Sequence, residues 1–170
     1  MATTQEEQVT IKAGDTIPNG TFSYVPYSPE LADGRACGVP VKLSTDDWKG
    51  KKVVLFSVPG AFTPTCHVSH LPGFVKGYDA IKEKGVDVVA CVAFNDAWVM
   101  SGWGRVEGVD DKILMLSDAN AEWSAKLGLK SGERTRRYAL IIDDLVVKSV
   151  GVETRPGVNV SGAEHILAHL

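Results

Sequence analysis

The chain of 170 residues carries 18 Lys plus Arg against 21 Asp plus Glu, a formal net charge of -3, so no basic surplus exists to hold nucleic acid or an anionic lipid surface. With 44% hydrophobic and 23% charged residues, the composition is that of an ordinary soluble globular protein, and a chain this long buries roughly 70% of its unfolded surface without help from disulfides or metal. Three cysteines, odd in number and sparse, are not the framework of a small secreted domain and point to a reducing compartment. The start, Met1 to Gln8, is polar and acidic and unlike a secretory signal, and the longest apolar run, Val88 to Phe94, has seven residues, far short of the roughly 20 that a membrane-spanning helix needs. A single cytoplasmic domain over residues 1–170 is expected, with no membrane or nucleic-acid partner. The last three residues, Ala168-His169-Leu170, resemble a small-basic-Leu peroxisomal address.

Residues 1–20 read as a polar N-terminal extension, followed by short strands over Thr21 to Val25 and Val39 to Leu43. Lys52 to Val58 is a β-branched run closed by Pro59-Gly60, the pattern of a strand buried on both faces. In the next helix Val68, Leu71, Val75, Tyr78 and Ile81 share one face, Gly85 stands at the C-cap, and Pro72 is expected to introduce a kink. Strand Val86 to Phe94, a helix from an Asn95 cap to Arg105, strand Ile113 to Ser117 and a helix Ala119 to Leu127 stopped by Gly128 complete the alternation, which implies parallel strands joined by helices. Tyr138 to Ile142 and Leu145 to Val150 then form a hairpin around Asp143-Asp144. Ser161 with Glu164 reads as the capping box of a last helix. The order predicts an α/β fold with a central mixed β-sheet flanked by helices and an N-terminal β extension.

The chemistry concentrates in Pro59-Gly60-Ala61-Phe62-Thr63-Pro64-Thr65-Cys66, running from a buried strand into the first turn of a helix. Free N–H groups and the positive dipole end of a helix favour an ionised sulfur, so Cys66 stands where a thiolate is favoured, and Thr63 is placed to hydrogen-bond it. The alternative is a buried core cysteine. Cys66 and His70 are one helical turn apart, a spacing that suits a metal pair or a Cys-His nucleophile and base, yet no further ligand of the usual spacing is visible. Trp98, Met100 and Trp103 read as core or subunit contact.

This segment resembles the peroxiredoxins, whose Pro-x-x-x-Thr-x-x-Cys signature is matched by Pro59, Thr63 and Cys66. The longer string, with His70-Leu71-Pro72-Gly73, Asn95-Asp96 and Val99-Met100, is similar to the type II, peroxiredoxin-5-like subfamily, nearest in pattern to fungal alkyl hydroperoxide reductases. The resemblance implies a thioredoxin-like fold and a thiol peroxidase acting on hydrogen peroxide and alkyl hydroperoxides. It implies no metal or organic cofactor, a homodimer with contacts near Asn95 to Trp103, and thioredoxin or glutaredoxin as reductant. It makes Cys66 the peroxidatic cysteine, with Thr63 bonding peroxide and thiolate, Pro59 shielding the site and Arg137 stabilising the thiolate and polarising the O–O bond; Arg134 and Arg136 read as solvated surface.

A sulfenic acid on Cys66 needs a second thiol. Cys37, in a loop-like setting 29 residues upstream, matches the position used by fungal relatives, and Cys91, 25 residues downstream inside a strand, matches the plant-type position. Cys37 is the favoured resolving thiol and Cys91 the candidate for an inert core thiol. Two other function classes compete at this level, a thiol-disulfide exchange protein and a catalytically silent interaction module. The first wants Cys-x-x-Cys, but Thr63 and Ser69 stand three before and three after Cys66. The second should have lost Cys66, Thr63 or Arg137, and all three are present.

Overall fold

The computed structural model describes residues 8–170. Strands β1 (Thr21–Tyr24), β2 (Val41–Ser44), β3 (Lys52–Ser57), β4 (Val88–Ala93) and β5 (Leu114–Ser117) are followed by a short ribbon of β6 (Lys130–Ser131) and β7 (Arg134–Thr135), then β8 (Tyr138–Asp143) and β9 (Val146–Val152). All but the ribbon join one seven-stranded sheet in the order β2-β1-β5-β4-β3-β8-β9. The central strands β3, β4 and β5 run parallel, and β8 is antiparallel to β3. Helices α1 (Leu71–Glu83), α2 (Ala97–Val106), α3 (Glu122–Lys126) and α4 (Ala163–His169) pack around it. The mixed sheet and its flanking helices match the predicted class.

Side-chain alternation splits the core in two. Val54 and Phe56 of β3, Cys91 of β4 and Ile141 of β8 face Leu71 and Phe74 of α1, Trp103 of α2 and Ile166 of α4. Val53, Leu55, Val92 and Leu140 face the other way, onto Phe22, Trp48 and Trp123. Both faces of β3 are covered, so a strand with almost no polar residue is stable only at the sheet's centre.

Several boundaries differ from the sequence reading, each for a local reason. Residues 1–7 of the expected extension lie outside the described residues, and 8–20 are docked: Ile11 and Ile17 are buried, and the N–H groups of Thr10 and Ile11 both donate to the Leu127 carbonyl. The first strand ends at Tyr24 and the second starts at Val41 rather than Val39, because β1 pairs only Val41 to Ser44. The hairpin turn is Asp144-Leu145, not Asp143-Asp144: Asp143 still pairs with Val146, and both turn residues have positive φ, 46° and 67°, which is the backbone that suits strand twist. The helix expected over Ala119 to Leu127 is broken by left-handed Asn120 and Ala121, and only Glu122–Lys126 is α-helical. Buried Asp118 accepts from the N–H groups of Trp123 and Ser124 (both 2.9 Å), and this places the true helix start. Gly128 does stop it, at φ 68°.

Candidate active site

The loop that carries the reactive segment is fixed at both ends. At the end of β3, the Val58 N–H donates to the Val92 carbonyl (3.0 Å), and the Val58 carbonyl accepts from the Thr135 hydroxyl (2.8 Å). Asn95 does not cap α2. Its Oδ1 accepts from the Ala61 N–H (2.8 Å) and braces this loop, while Asp96 caps α2 by accepting from the Val99 N–H (2.9 Å). A Cβ on Gly60 would stand 3.1 Å from the Thr63 methyl and 3.4 Å from the Arg134 guanidinium, so the turn is closely packed at this position. Pro64 opens the helix, where its missing N–H costs nothing, and Cys66 falls in the first turn.

Residues Cys66–His70 form a π turn in which the Leu71 N–H donates to the Cys66 carbonyl. Pro72 follows within the first turn of α1. The π turn just before it is where the helical run from Pro64 to Glu83 accommodates the proline's missing N–H. The Trp103 indole N–H ties the π turn to α2 by donating to His67 Nδ1 (3.0 Å).

Two side chains, one from the Cys66 loop itself and one from the edge of β8, converge on the buried sulfur of Cys66. Thr63 Oγ1 lies 3.0 Å from Sγ and 2.7 Å from the Gly60 carbonyl, so its single hydroxyl proton has two acceptors to choose between. Arg137, next to the first residue of β8, donates from Nη2 to Sγ (3.2 Å). Among the described residues no carboxylate lies within ion-pair distance of Arg137. Pro59 is half-buried at the strand end. Arg134 is exposed over the Phe94 ring (5.4 Å).

The sequence reading weighed His70 only as a metal partner or base for Cys66; in the structure His70 instead links Ser161 to Arg137. Its ring is buried, Nε2 lies 2.8 Å from the Ser161 carbonyl and Nδ1 lies 2.9 Å from Arg137 Nη1. A carbonyl only accepts and a guanidinium only donates, so the neutral tautomer with Nε2–H is the one that satisfies both. Burial lowers its pKa from 6.5 to about 4, against the opposing pull of the Ser161 carbonyl. In the window between these values the unfolded chain binds a proton that the folded chain does not. Stability therefore falls as pH drops through it, by about 3 kcal/mol once complete. His70→Asn, whose Oδ1 can accept from Arg137, should flatten this acid slope. Urea midpoints at pH 7 and 4.5 check this, and an equal fall in variant and wild type would clear His70 as the source.

Ser161 does not form the expected capping box with Glu164. Gly162 is the N-cap of α4, and the Ser161 hydroxyl and N–H both donate to Glu153 (2.9 Å each). Cys37 is exposed on a loop latched to α2, where Arg105 donates to the carbonyls of Leu31 and Ala36 (3.1 and 2.8 Å). Cys91 is buried opposite Phe56, in the same core cluster as Cys66. Burial pushes its thiol well up, the neighbouring Cys66 adds to this, and Arg137 pulls weakly the other way. Met100 and Trp103 are fully buried, whereas Trp98 is 53% exposed, so only Trp98 of the three remains free for a contact. Among the described residues no group of three or more His, Cys, Asp or Glu is gathered to hold a metal ion, and no helix is long and apolar enough to cross a membrane.

A lone cysteine in the first turn of a helix, at the end of a central strand and under a guanidinium, defines a thiol-based oxidoreductase site on a thioredoxin-like scaffold. The Redoxin family model matches residues 12–167. A putative peroxiredoxin of Malassezia furfur is 49% identical over 148 residues, covering 82% of this chain and 89% of that protein. A putative peroxisomal peroxiredoxin of Lipomyces kononenkoae is 42% identical over 157 residues, covering 88% and 94%. The crystal structure of reduced Prx3 of Vibrio vulnificus in complex with hydrogen peroxide superposes with a TM-score of 0.81 at 43% identity, covering 94% of this chain and 98% of that one. The chain belongs to the Redoxin family, as a peroxiredoxin of the type II, peroxiredoxin-5-like kind. It is a thiol peroxidase that reduces hydroperoxides.

Proposed function

We propose that Cys66 is the attacking thiol, with Thr63, Arg137 and Pro59 as its immediate surroundings and Cys37 as the resolving thiol. The observation that carries this is the Arg137 guanidinium, without a carboxylate partner among the described residues and 3.2 Å from Cys66 Sγ. The Cys66 thiolate attacks one peroxide oxygen and the O–O bond breaks; the sulfur is oxidised to sulfenic acid, and the leaving oxygen takes a proton to become water or an alcohol. Arg137 faces the charge that develops on that oxygen, and the Thr63 hydroxyl orients the incoming peroxide. The Cys37 thiol then condenses with the sulfenic acid, giving a disulfide and water, and a dithiol reductant, thioredoxin or glutaredoxin, returns both cysteines to thiols.

Cys37 is favoured over Cys91 because it is exposed, whereas the Cys91 thiol is buried and held protonated, and a protonated thiol is a poor nucleophile. A Cys66–Cys91 bond would also require the helix start to open, since bridged Cα atoms lie within about 7 Å and the side chains must turn toward each other. After one equivalent of hydrogen peroxide, the wild type should run as a covalent dimer on a non-reducing gel. Cys37→Ser should remove that dimer and Cys91→Ser keep it. A monomeric disulfide lost only in Cys91→Ser would transfer the resolving role to Cys91.

The same reading makes the protein a homodimer. Trp98 and Val99, at the start of α2, are large apolar residues left exposed, and burying apolar surface is what drives association. Sedimentation at micromolar concentration should give a dimer in both redox states, and a monomer in both would overturn this. For location we propose the cytoplasm. Import into peroxisomes would require the last turn of α4 to open, because Leu170 packs against the core and its N–H donates to the Ile166 carbonyl.

A further inference from the structure

We propose that Glu153 is a positioning residue for the peroxide reaction: it clamps residues 159–161, fixing the carbonyl that orients His70, and through His70 it holds the Arg137 guanidinium on Cys66. The proposal rests on the reading that Arg137 activates Cys66.

Residues 154–161 form no helix or strand, and among the described residues they make no main-chain hydrogen bond to another main-chain group. Buried or half-buried main-chain donors without such partners need another acceptor, and Glu153 supplies it. Its Oε1 accepts from the N–H groups of Asn159 (2.6 Å), Val160 (2.7 Å) and Ser161 (2.9 Å) and from the Ser161 hydroxyl (2.9 Å). Its Oε2 accepts from Asn159 Nδ2 (3.1 Å). The loop is also pressed onto β9, where a Cβ on Gly151 would overlap the Val160 carbonyl.

From this clamp the connection to the sulfur is continuous. The Ser161 carbonyl receives Nε2–H of His70, His70 Nδ1 receives Nη1–H of Arg137, and Arg137 Nη2 donates to Cys66 Sγ, at 2.8, 2.9 and 3.2 Å. The Ser161 carbonyl can only accept and the Arg137 guanidinium can only donate, and these two fixed ends set the His70 tautomer and give the chain one polarity. The Glu153 N–H also donates to the Arg137 carbonyl (3.0 Å), so the residue holds the arginine's backbone as well as the far end of its side-chain network. Burial pushes the Glu153 carboxyl up, but its N–H and hydroxyl donors outweigh this and hold it at about 2. The clamp is therefore ionised throughout the working pH range.

The test measures the second-order rate of Cys66 with hydrogen peroxide by stopped flow in Glu153→Ala, Glu153→Gln, Arg137→Met and the double variant Glu153→Ala/Arg137→Met. Glu153→Ala should be slower by about tenfold, the scale on which supporting residues behind a reactive group act. Glu153→Gln, whose Oε1 still accepts, should recover most of the rate, and the double variant should be no slower than Arg137→Met alone. A merely structural glutamate would lower the thermal midpoint and leave the rate of the folded protein unchanged, and that result, or losses that multiply in the double variant, would overturn the proposal. If Glu153→Ala fails to fold, Asn159→Asp sets a second carboxylate against Oε2. It should slow the reaction in the wild-type background and not in Arg137→Met; an unchanged rate overturns the proposal. Should Arg137→Met itself react at the wild-type rate, the arginine reading fails first and the clamp falls with it, whereas a slow Arg137→Met beside a normal Glu153→Ala removes the clamp alone.

Discussion

Cys66→Ser is expected to consume no hydrogen peroxide above the buffer background, with the fold unchanged. A serine hydroxyl at neutral pH is neither ionised nor polarisable enough to attack an O–O bond, and nothing within reach of residue 66 acts as a general base. Thr63 donates or accepts, Arg137 only donates, and the one ring nitrogen of His70 with a free lone pair is already taken by Arg137. The buried hydroxyl keeps hydrogen-bonding partners in Thr63 and Arg137, so the substitution leaves no stranded polar group in the core. Peroxide consumption in the presence of a dithiol reductant, alongside far-UV circular dichroism, checks both halves. Turnover surviving in a folded Cys66→Ser would remove Cys66 from the chemistry.

Arg137→Met keeps the side chain's length and removes its charge, and should slow the reaction with peroxide by about 10²–10³-fold, the usual cost of losing a preorganised donor from a site of developing negative charge. The thiolate also loses its nearest cation, so alkylation of Cys66 by iodoacetamide at pH 7 should slow as well. Stability should drop by about 1–3 kcal/mol, because the buried Nδ1 of His70 loses the donor it accepts from. Arg137→Lys should fall between the two, since an ammonium is a point charge and cannot reach Cys66 and His70 with a fixed planar fork. Unaltered peroxide and alkylation rates in Arg137→Met would class Arg137 with the exposed Arg134.

The structure also shows why some signals pointed slightly off target. Asn95 and Asp96 are both good N-caps by residue type, and Asp96 takes the cap because Asn95 is needed by the Ala61 N–H of the active-site loop. Ser161 and Glu164 have capping-box spacing, yet Ser161 gives its hydroxyl to Glu153. Spacing ranks the partners available within a few residues, and here a residue eight positions away in sequence takes both the N–H and the hydroxyl of Ser161. Trp98 and Trp103 sit five apart on one short helix, and one is exposed while the other is buried, a split that helical periodicity allows but cannot assign.

The sequence by itself determined the parallel β3–β4–β5 core, the closing hairpin, the placement of Cys66 in the first turn of a helix, and the pairing of Thr63 with it. All of these depend on interactions within a few residues or on the apolar pattern of a single strand, and such interactions are written locally. Only the tertiary structure decided which side chains meet at the sulfur from far away. His70 lies four residues from Cys66, but its function comes from Arg137, 67 positions on, and from Ser161, 91 positions on. Glu153 lies in a loop whose composition signals nothing. Those contacts exist because β8 folds back antiparallel beside β3 and brings Arg137 across to the end of the central strand, and because residues 154–161, lacking a ladder of their own, close around a single carboxylate. A hydrogen bond between residues so far apart leaves no periodic trace, since the only requirement on each residue is a donor or acceptor at one point in space.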